Sequence, residues 1–217
     1  MLVKNATELK TIELSIGEIN EIECAIQDAL CSAEAIQAIA KDSYKHQNGF
    51  LKLTLKAKDG EKFRLHVYKV GATADENIHN HRWSFNSKIL CGALPMYLYQ
   101  VVEGNSHRLH IYERLDGPYT VTFNRMVGVI ESPLTHIRAG RQYVMEKNLH
   151  HKIAPVRELT ISYMTTHKTD QQTCDLINVV DKSSKGEEVK EPPLSVKQVI
   201  DALQLILTKV VQLKGWI

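Results

Sequence analysis

Residues 50–68 have the sequence FLKLTLKAKDGEKFRLHVY, and this stretch decides the fold class. Apolar and polar residues alternate on both sides of Asp59-Gly60, a dipeptide that favours a tight hairpin turn. Alternation with a period of two is typical of a strand whose two faces meet different surroundings. The stretch therefore predicts a β-hairpin, and it places Arg64, His66 and Tyr68 together on one face.

Further short strands are predicted along the rest of the chain. They cover Ala93 to Val102, Leu109 to Glu113, Tyr119 to Ile130, Gln142 to Met145 and Leu159 to Thr165. Turn dipeptides at Gly104-Asn105, Asp116-Gly117 and Ala139-Gly140 separate them. Many short strands with regular turns favour an all-β barrel or sandwich over a parallel α/β sheet. We assign this barrel to residues 49–168.

A helical segment, 1–48, is predicted before the barrel. Ser15 and Glu18 have the spacing of a capping box, which starts a helix. From Ile19 to Ile36 apolar residues recur every three or four positions and form one helical face. Cys24 and Cys31, seven residues apart, would share a side of that helix.

A second amphipathic helix is predicted at the end of the chain, within residues 194–217. Ser195 and Gln198 form another capping box, and apolar residues follow at helical spacing from Val199 to Leu213. Residues 169–193 are predicted to be a linker, because their charged run ends at Pro192-Pro193. The helix would pack on the barrel or on another subunit, so a homodimer is one expectation.

Composition excludes several classes of partner. The 217 residues carry a formal net charge of only +2, which predicts no nucleic-acid partner. No apolar run is long enough to span a membrane, and the first residues lack the apolar core of a signal peptide. The four cysteines form no CxxC pair and are expected to be free thiols. These features predict a cytoplasmic protein without a membrane partner.

The most informative motif is Ile78-His79-Asn80-His81-Arg82-Trp83. In a strand, residues i and i+2 point to the same side, so the imidazoles of His79 and His81 can share one metal ion. Neutral imidazole binds iron, zinc, copper and nickel. The alternative is that both are ordinary barrel histidines without a metal.

The surroundings of this motif carry a family resemblance. Gly71 precedes it, Gly92 follows it, and a later segment runs from Ala139 through Met145 to Leu149-His150-His151-Lys152-Ile153. This layout, over residues 50 to 167, resembles the two motifs of the cupin superfamily. The resemblance implies a double-stranded β-helix, or jelly roll, in which a later histidine completes the metal site.

The third ligand is either His151 or His150, because strand alternation lets only one of them point inward. His151 is favoured, since in the cupin pattern the ligand is followed by a basic and a β-branched residue, as in His151-Lys152-Ile153. Many cupins also carry a glutamate shortly after the HxH motif, but residues 82–86 contain no carboxylate.

A face of three neutral histidines resembles the thiol dioxygenases, the branch that contains cysteine dioxygenase. That resemblance implies Fe(II) as cofactor, with Zn, Ni or Mn as alternatives, dioxygen as co-substrate, and a small substrate bearing a thiol and a carboxylate. The cysteine of the animal enzymes would fall near Asn86, and their Ser-His-Tyr triad is not reproduced. The sequence therefore supports a metal cupin more than it supports cysteine as substrate.

Five further residues are candidates for the site. Arg64 and Lys52 could bind a substrate carboxylate, and Trp83 could wall the pocket. Tyr143 and Tyr163 could donate a hydrogen bond to bound oxygen or water, as catalytic residues. The alternatives are an exposed Arg64 paired with an acid, and packing roles for the aromatic residues.

The leading hypothesis is thus a non-haem iron dioxygenase acting on a small molecule. The alternatives are a non-redox metal cupin, either an isomerase or a hydrolase, and a small-ligand-binding or regulatory cupin without turnover. Whether the protein is an enzyme stays open at this point.

Overall fold

A computed structural model describes residues 9–46, 48–58, 60–72, 76–113, 120–169, 171–179 and 192–217 of the chain. Its elements, in chain order, are β1 (Thr11–Glu13), α1 (Ile16–Leu30), α2 (Ala33–Asp42), β2 (Tyr44–Lys45), β3 (Phe50–Lys58), β4 (Glu61–Tyr68), β5 (Ile78–His79), β6 (Phe85–Cys91), β7 (Ala93–Glu113), β8 (Thr120–Glu131), β9 (Thr135–Arg138), β10 (Arg141–Met145), β11 (His150–Ile153), β12 (Thr160–Thr166), β13 (Thr173–Val179) and α3 (Val196–Lys214). None of the helices in these ranges is both long and apolar enough to cross a membrane.

The strands form two antiparallel sheets. One has seven strands in the order β1-β10-β6-β12-β4-β3-β2, and the other has six, with β11-β5-β13-β7-β8 in line and β9 paired to β7. Large side chains from both sheets meet between them, including Phe85 and Met145 from the first and Leu94 and Met96 from the second. The protein is a mostly β, cupin-like jelly roll, as the sequence predicts, with helices at both ends of the chain. We call the space between the sheets the lumen.

The three helices cover the other face of the seven-stranded sheet. Apolar residues of α1, α2 and α3 form one buried cluster with Leu53, Leu65 and Ile161 of the sheet. Both predicted capping boxes are present, at Ser15 and at Ser195. Each box satisfies backbone N–H groups that would otherwise lack a partner at the helix start. The sheet thus has a helix face and a lumen face.

Alternation assigns each strand residue to one of these two faces. In the predicted hairpin, Leu53 and Leu65 are fully buried under the helices. Lys52 of β3 lies opposite His66 of β4, and Arg64 precedes His66 by two residues on β4. All three face the lumen. The predicted hairpin of β3 and β4 is confirmed by its pairing, although Asp59 itself lies outside the described residues.

The structure differs from the predicted N-terminal helix in one respect. The apolar face continues through Ile36, but the helix ends at Leu30, and Ser32 caps a second helix through its side chain, which accepts from the Ala35 N–H. A side-chain cap of this kind starts a new helix even where the apolar period continues. Cys24 and Cys31 are both exposed.

The turn predicted at Gly104-Asn105 is wrong. Strand β7 runs through it from Ala93 to Glu113, and its pairing with β8 shifts register between Val102 and His107. The extra residues are absorbed as an irregularity within the ladder instead of reversing the chain. Asp116-Gly117 and Tyr119 lie outside the described residues.

The predicted linker 169–193 also differs from the structure. Residues Thr173–Val179 form β13, which pairs with both β5 and β7. The sequence TCDLINV has only a short apolar run, and its strand is stabilised by its two neighbours rather than by its own pattern. Residues 180–191 lie outside the described residues.

Candidate metal centre

The HxH segment begins in a very short strand. β5 contains only Ile78 and His79, and residues 80–84 follow without regular structure. The rings of His79 and His81 still approach each other, with centroids 4.9 Å apart. Asn80 between them turns to the opposite side of the sheet, where it bonds to Asp175. The alternation expected from the sequence therefore holds beyond the end of the strand.

Strand β11 brings a third histidine to the pair. His151 lies directly opposite His79 in the antiparallel register. Its ring centroid is 4.5 Å from that of His79 and 5.0 Å from that of His81. His150 points the other way, with Nε2 2.8 Å from Asp175 Oδ2. Of the two histidines that the sequence leaves open, the structure brings His151 into the cluster.

The three imidazoles form a group that could hold a metal ion. One ligand atom from each of His79, His81 and His151 lies within 4.8 Å of the other two. Within the described part of the chain this group contains nitrogen donors only, without a carboxylate or thiolate. This composition suits iron, zinc, copper or nickel better than the oxygen-preferring ions calcium and magnesium.

Hydrogen bonds orient two of these rings. His79 Nδ1 lies 3.0 Å from the carbonyl oxygen of Asn77, and His151 Nδ1 lies 3.3 Å from that of Leu149. A carbonyl oxygen can only accept, so Nδ1 carries the proton in both rings and donates. Each Nε2 then has a free lone pair for a metal, the arrangement usual in histidine metal sites.

Burial favours the neutral form of two of these imidazoles, those of His81 and His151. It lowers the pKa of His81 well below the usual value, and the neighbouring His79 and His151 lower it further. Burial, followed by the proximity of His79, likewise depresses the pKa of His151. Only the neutral form of imidazole binds a metal, so the environment favours the form that a ligand needs.

Lys52, Arg64 and Trp83, predicted for substrate binding, lie around the cluster. Arg64 Cζ is 5.8 Å from the centre of the Trp83 ring, and that ring is 5.8 Å from the ring of His81. Arg64 is only 9% exposed, so the alternative of a solvent-facing arginine is wrong. Trp83 does not share a continuous strand with His81, but it still reaches the same side.

Lys52 stands beside Arg64 on the lumen face of β3. Its Nζ donates a hydrogen bond to Tyr44 Oη at 3.0 Å. Burial lowers the pKa of Lys52 to about 7, and the positive charges of Arg64 and Lys62 add to this effect. Two cationic side chains therefore share a partly dry wall, where an anion would be strongly attracted.

His66 is a lumen residue that the sequence did not single out as a site residue. It is 5% exposed, and its Nδ1 lies 3.2 Å from Tyr68 Oη. Its Nε2 is buried and has no hydrogen-bond partner among the residues that the structure describes. A buried polar atom without a partner is costly, which makes Nε2 a candidate contact for a ligand. The sequence signal for His66 was its position two residues after Arg64, which puts both side chains on the same face of the strand.

The two predicted catalytic tyrosines have different positions. Tyr143 lies in the lumen, 3% exposed, with its ring 6.2 Å from Phe85, whose ring is 5.0 Å from His81. Tyr163 instead packs against the helix-side cluster, near Glu21 of α1. Tyr163 does not lie in the lumen, as its predicted catalytic role requires, because alternation in β12 points Met164 into the lumen and Tyr163 away from it.

A buried carboxylate, Glu76, was also missed. It accepts hydrogen bonds from the Ile153 backbone N–H at 2.6 Å and from Asn48 Nδ2 at 3.1 Å. Burial raises its pKa, although the nearby His79 opposes this. It joins the segment before His79 to the strand that carries His151. A single acid in a stretch without periodicity gives no sequence signal for this role.

A cleft of about 690 Å³ lies elsewhere, between α3 and the β3–β4 hairpin. Its walls include Leu51 and Val67 on the helix face of the sheet and Ala202 and Leu205 of α3. None of the residues discussed above as candidate ligands or substrate contacts lines it, so the chemistry points to the lumen instead.

Comparisons with known proteins give structural similarities only. No protein-family model matches the chain, and no curated protein matches its sequence. Among solved structures it is similar to a cupin-like protein from Thermotoga maritima, with 11% identity, a TM-score of 0.35, and coverage of 69% of this chain and 91% of the other.

Two enzymes of known activity are also similar to it. A Bacillus subtilis oxalate decarboxylase variant shares 13% identity over 63% of this chain and 30% of its own, with a TM-score of 0.37. The Streptomyces albus enzyme HEPD, solved with 2-hydroxyethylphosphonate and Fe(II), shares 9% identity over 56% of this chain and 22% of its own, with a TM-score of 0.32. The chain thus spans less than a third of the length of either enzyme, and overlaps this weak carry no inference about activity.

Proposed function

We propose that the protein is a metal-dependent cupin that binds Fe(II) through His79, His81 and His151 and oxidises a small anionic molecule with dioxygen. The observation that carries this proposal is the convergence of three imidazoles, with ligand atoms within 4.8 Å of one another. When bound, the metal would hold substrate and dioxygen side by side and activate the oxygen.

The substrate class is suggested by the lumen wall beside the imidazoles. Lys52 and Arg64 supply positive charge, and a guanidinium can bind a carboxylate through two parallel hydrogen bonds. Trp83 offers a flat apolar surface between Arg64 and His81. These residues favour a molecule of a few atoms with one anionic group, and a thiol or hydroxyl is the simplest second group to reach the metal.

Other lumen residues would hold or move protons. His66 Nε2 can hydrogen-bond a polar group of the substrate, since it has no partner in the described part of the chain. Lys52, with its pKa of about 7, can release or take up a proton near neutral pH. Tyr143 is retained as a proposed hydrogen-bond donor from the lumen side.

A second candidate function follows from the same donor set. Three imidazoles also suit zinc or nickel, and an open position on such an ion supports hydrolysis or isomerisation without redox chemistry. The basic wall would then still bind an anionic substrate. The two candidates differ in the metal and in the need for dioxygen.

The test combines metal analysis with oxygen uptake. The purified chain is analysed for metal and then reconstituted separately with Fe(II), Zn, Ni and Mn. Dioxygen consumption is measured against small thiols with and without a carboxylate, such as cysteine and cysteamine. Iron together with substrate-dependent oxygen uptake supports the dioxygenase. Zinc or nickel without uptake supports the non-redox alternative.

Failure to bind any of the four metals would refute both candidates. The protein would then be considered a regulatory or interaction module, and the oligomeric state of the chain with and without α3 would be the next measurement. A homodimer through that helix stays a prediction.

A further inference from the structure

A carboxylate on the outer side of the six-stranded sheet contacts the residues that alternate with the imidazoles. Asp175 lies in β13, with its side chain 26% exposed. Its Oδ2 is 2.8 Å from His150 Nε2, the residue before His151. The same oxygen is 3.5 Å from Asn80 Nδ2, and Asn80 is the residue between His79 and His81. One side chain thus bridges both ligand-bearing segments.

The backbone of Asp175 strengthens the connection to Asn80. The Asp175 N–H donates to Asn80 Oδ1 at 2.6 Å, and the Asn80 N–H donates to the Asp175 carbonyl at 3.3 Å. Asn80 is only 7% exposed, so these bonds replace solvent contacts that its amide has lost. A buried amide without partners is unfavourable, so these bonds stabilise the outward orientation of Asn80.

These contacts matter because little regular structure holds the HxH segment. β5 ends at His79, so His81 lies outside the sheet ladder. Besides the bonds of Asn80, the segment is held by the His81 N–H on the Lys147 carbonyl, at 3.1 Å, and by Gln171 Nε2 on the His81 carbonyl, at 3.0 Å. The orientation of His81 therefore depends on a few isolated backbone and side-chain bonds, whereas a central strand would be fixed by the regular ladder to its neighbours.

We propose that Asp175 is a positioning residue of the metal centre: by fixing Asn80 and His150 outward, it turns His79, His81 and His151 inward together. The proposal rests on the metal site of the proposed function, but the Asp175 carboxylate bonds to the chain neighbours of the three histidines, Asn80 and His150. Consecutive residues of extended chain point to opposite sides, so anchoring one residue orients its neighbour.

The expected consequence is preorganisation of the ligands. Rings that already face one another lose less conformational freedom when a metal binds. Removing an outer partner of a metal site typically lowers metal affinity about 10- to 100-fold, although the ligands themselves are intact. The loss should appear in affinity and in the spectrum of the bound metal, not only in stability.

The experiment is a Co²⁺ titration of the full chain, followed by visible absorption, with competition by Zn²⁺. Asp175→Leu should bind Co²⁺ about 10- to 100-fold more weakly, with altered absorption bands. Asp175→Asn should keep most of the affinity, because its amide oxygen can still accept from His150. Asp201→Leu is the matched control, since Asp201 is an exposed aspartate of α3 whose carboxylate pairs with Lys197.

A stability control separates positioning from folding. Leu203→Ala removes a fully buried side chain of α3, far from the lumen, and should lower the melting temperature without changing Co²⁺ affinity. If Asp175→Leu binds as tightly as the parent, the proposal is overturned. It is also overturned if Leu203→Ala weakens binding as much as Asp175→Leu does.

A failure of the proposed function would look different. If the parent chain binds neither metal, the metal site is refuted, and a crystal structure of metal-free Asp175→Leu decides the positioning role. The expected result is an increase in the His81 to His151 centroid distance from 5.0 Å. The role of Asp175 is overturned if the rings keep this distance and also stay 4.5 Å (His151) and 4.9 Å (His81) from His79.

Discussion

The two faces of the seven-stranded sheet differ in chemistry although the same strands build them. On the helix face, Leu53 and Leu65 are fully buried among apolar neighbours. On the lumen face, the residues beside them are Lys52, Arg64 and His66. In this part of the hairpin, the residues on one face pack against the helices. The alternate residues, on the other face, are charged or polar.

This difference teaches where the protein tolerates an energetic cost. Burying Lys52 beside Arg64 is unfavourable enough to lower the pKa of Lys52 to about 7. His66 Nε2 is buried without a hydrogen-bond partner among the described residues. Apolar residues at these positions would make a more stable barrel, so their presence is the pattern expected of a binding site. The helix face offsets the cost by close packing.

The largest expected effect is a loss of metal binding in the lumen without a loss of the fold. His79→Ala, His81→Ala and His151→Ala should each lower metal affinity by more than about 100-fold, since a lost ligand costs more than a lost outer partner. His150→Ala should keep far more affinity, because its ring faces Asp175 and supplies no ligand atom. Elemental analysis of reconstituted protein measures the difference, and circular dichroism checks the fold. Loss of metal in His150→Ala with retention in His151→Ala would reverse the assignment.

The next largest effect compares substitutions at two adjacent residues, Leu65 on the helix face and Arg64 on the lumen face. Leu65→Ala should lower the free energy of unfolding by about 2–5 kcal/mol, because it leaves a cavity under the helices. Its metal affinity should be unchanged. Arg64→Ala should instead cost less than about 1 kcal/mol from its contact with Trp83 and reduce the affinity for an anionic substrate. Urea unfolding and substrate titration check both. A larger stability loss in Arg64→Ala than in Leu65→Ala would assign Arg64 to structure.

Features with a local period could be predicted from the sequence. The hairpin of β3 and β4, both capping boxes and the inward pair His79 and His81 follow from alternation or from fixed spacing. The choice of His151 as the third ligand was predicted from the cupin pattern, and its position opposite His79 in the strand register agrees with that choice. Local rules of this kind depend only on neighbouring residues, so the fold does not need to be known first.

Features fixed by distant neighbours could not be predicted. Whether Tyr163 faces the lumen depends on which face of β12 the helices cover. Glu76 and Asp175 gain their roles from Ile153 and His150, which are 77 and 25 residues away along the chain. The strand β13 is recognisable only through its pairing with β5 and β7. None of these contacts leaves a periodic trace in the sequence.

A smaller effect concerns the charge on the lumen face. Burial lowers the pKa of Lys52 to about 7 in the folded protein, whereas its ordinary pKa of 10.5 applies in the unfolded chain. Between these values the unfolded state binds more protons, so the free energy of unfolding should rise with pH across this window. Each unit of pKa difference corresponds to roughly 1.4 kcal/mol.

Lys52→Met tests this by removing the titrating group. The variant should be more stable than the parent at pH 6, and the two should converge towards pH 10. Lys197→Met is the control, because Lys197 is exposed on α3 and its side chain is 83% accessible. Urea unfolding at several pH values gives the curves. Parallel curves for parent and Lys52→Met would show that Lys52 is not held in a dry environment.

The smallest expected effect compares the two tyrosines across the sheet. Tyr143→Phe and Tyr163→Phe each remove one hydroxyl, which is worth about 1 kcal/mol as a net hydrogen bond. Because Tyr143 lies in the lumen, its loss should slow oxygen uptake several-fold in the iron-loaded protein. Tyr163 packs under the helices, and its loss should leave uptake unchanged. Both variants should unfold within about 1 kcal/mol of the parent, which removes stability as the explanation. If Tyr163→Phe slows uptake and Tyr143→Phe does not, the division of the sheet into a packing face and a working face is wrong at β12.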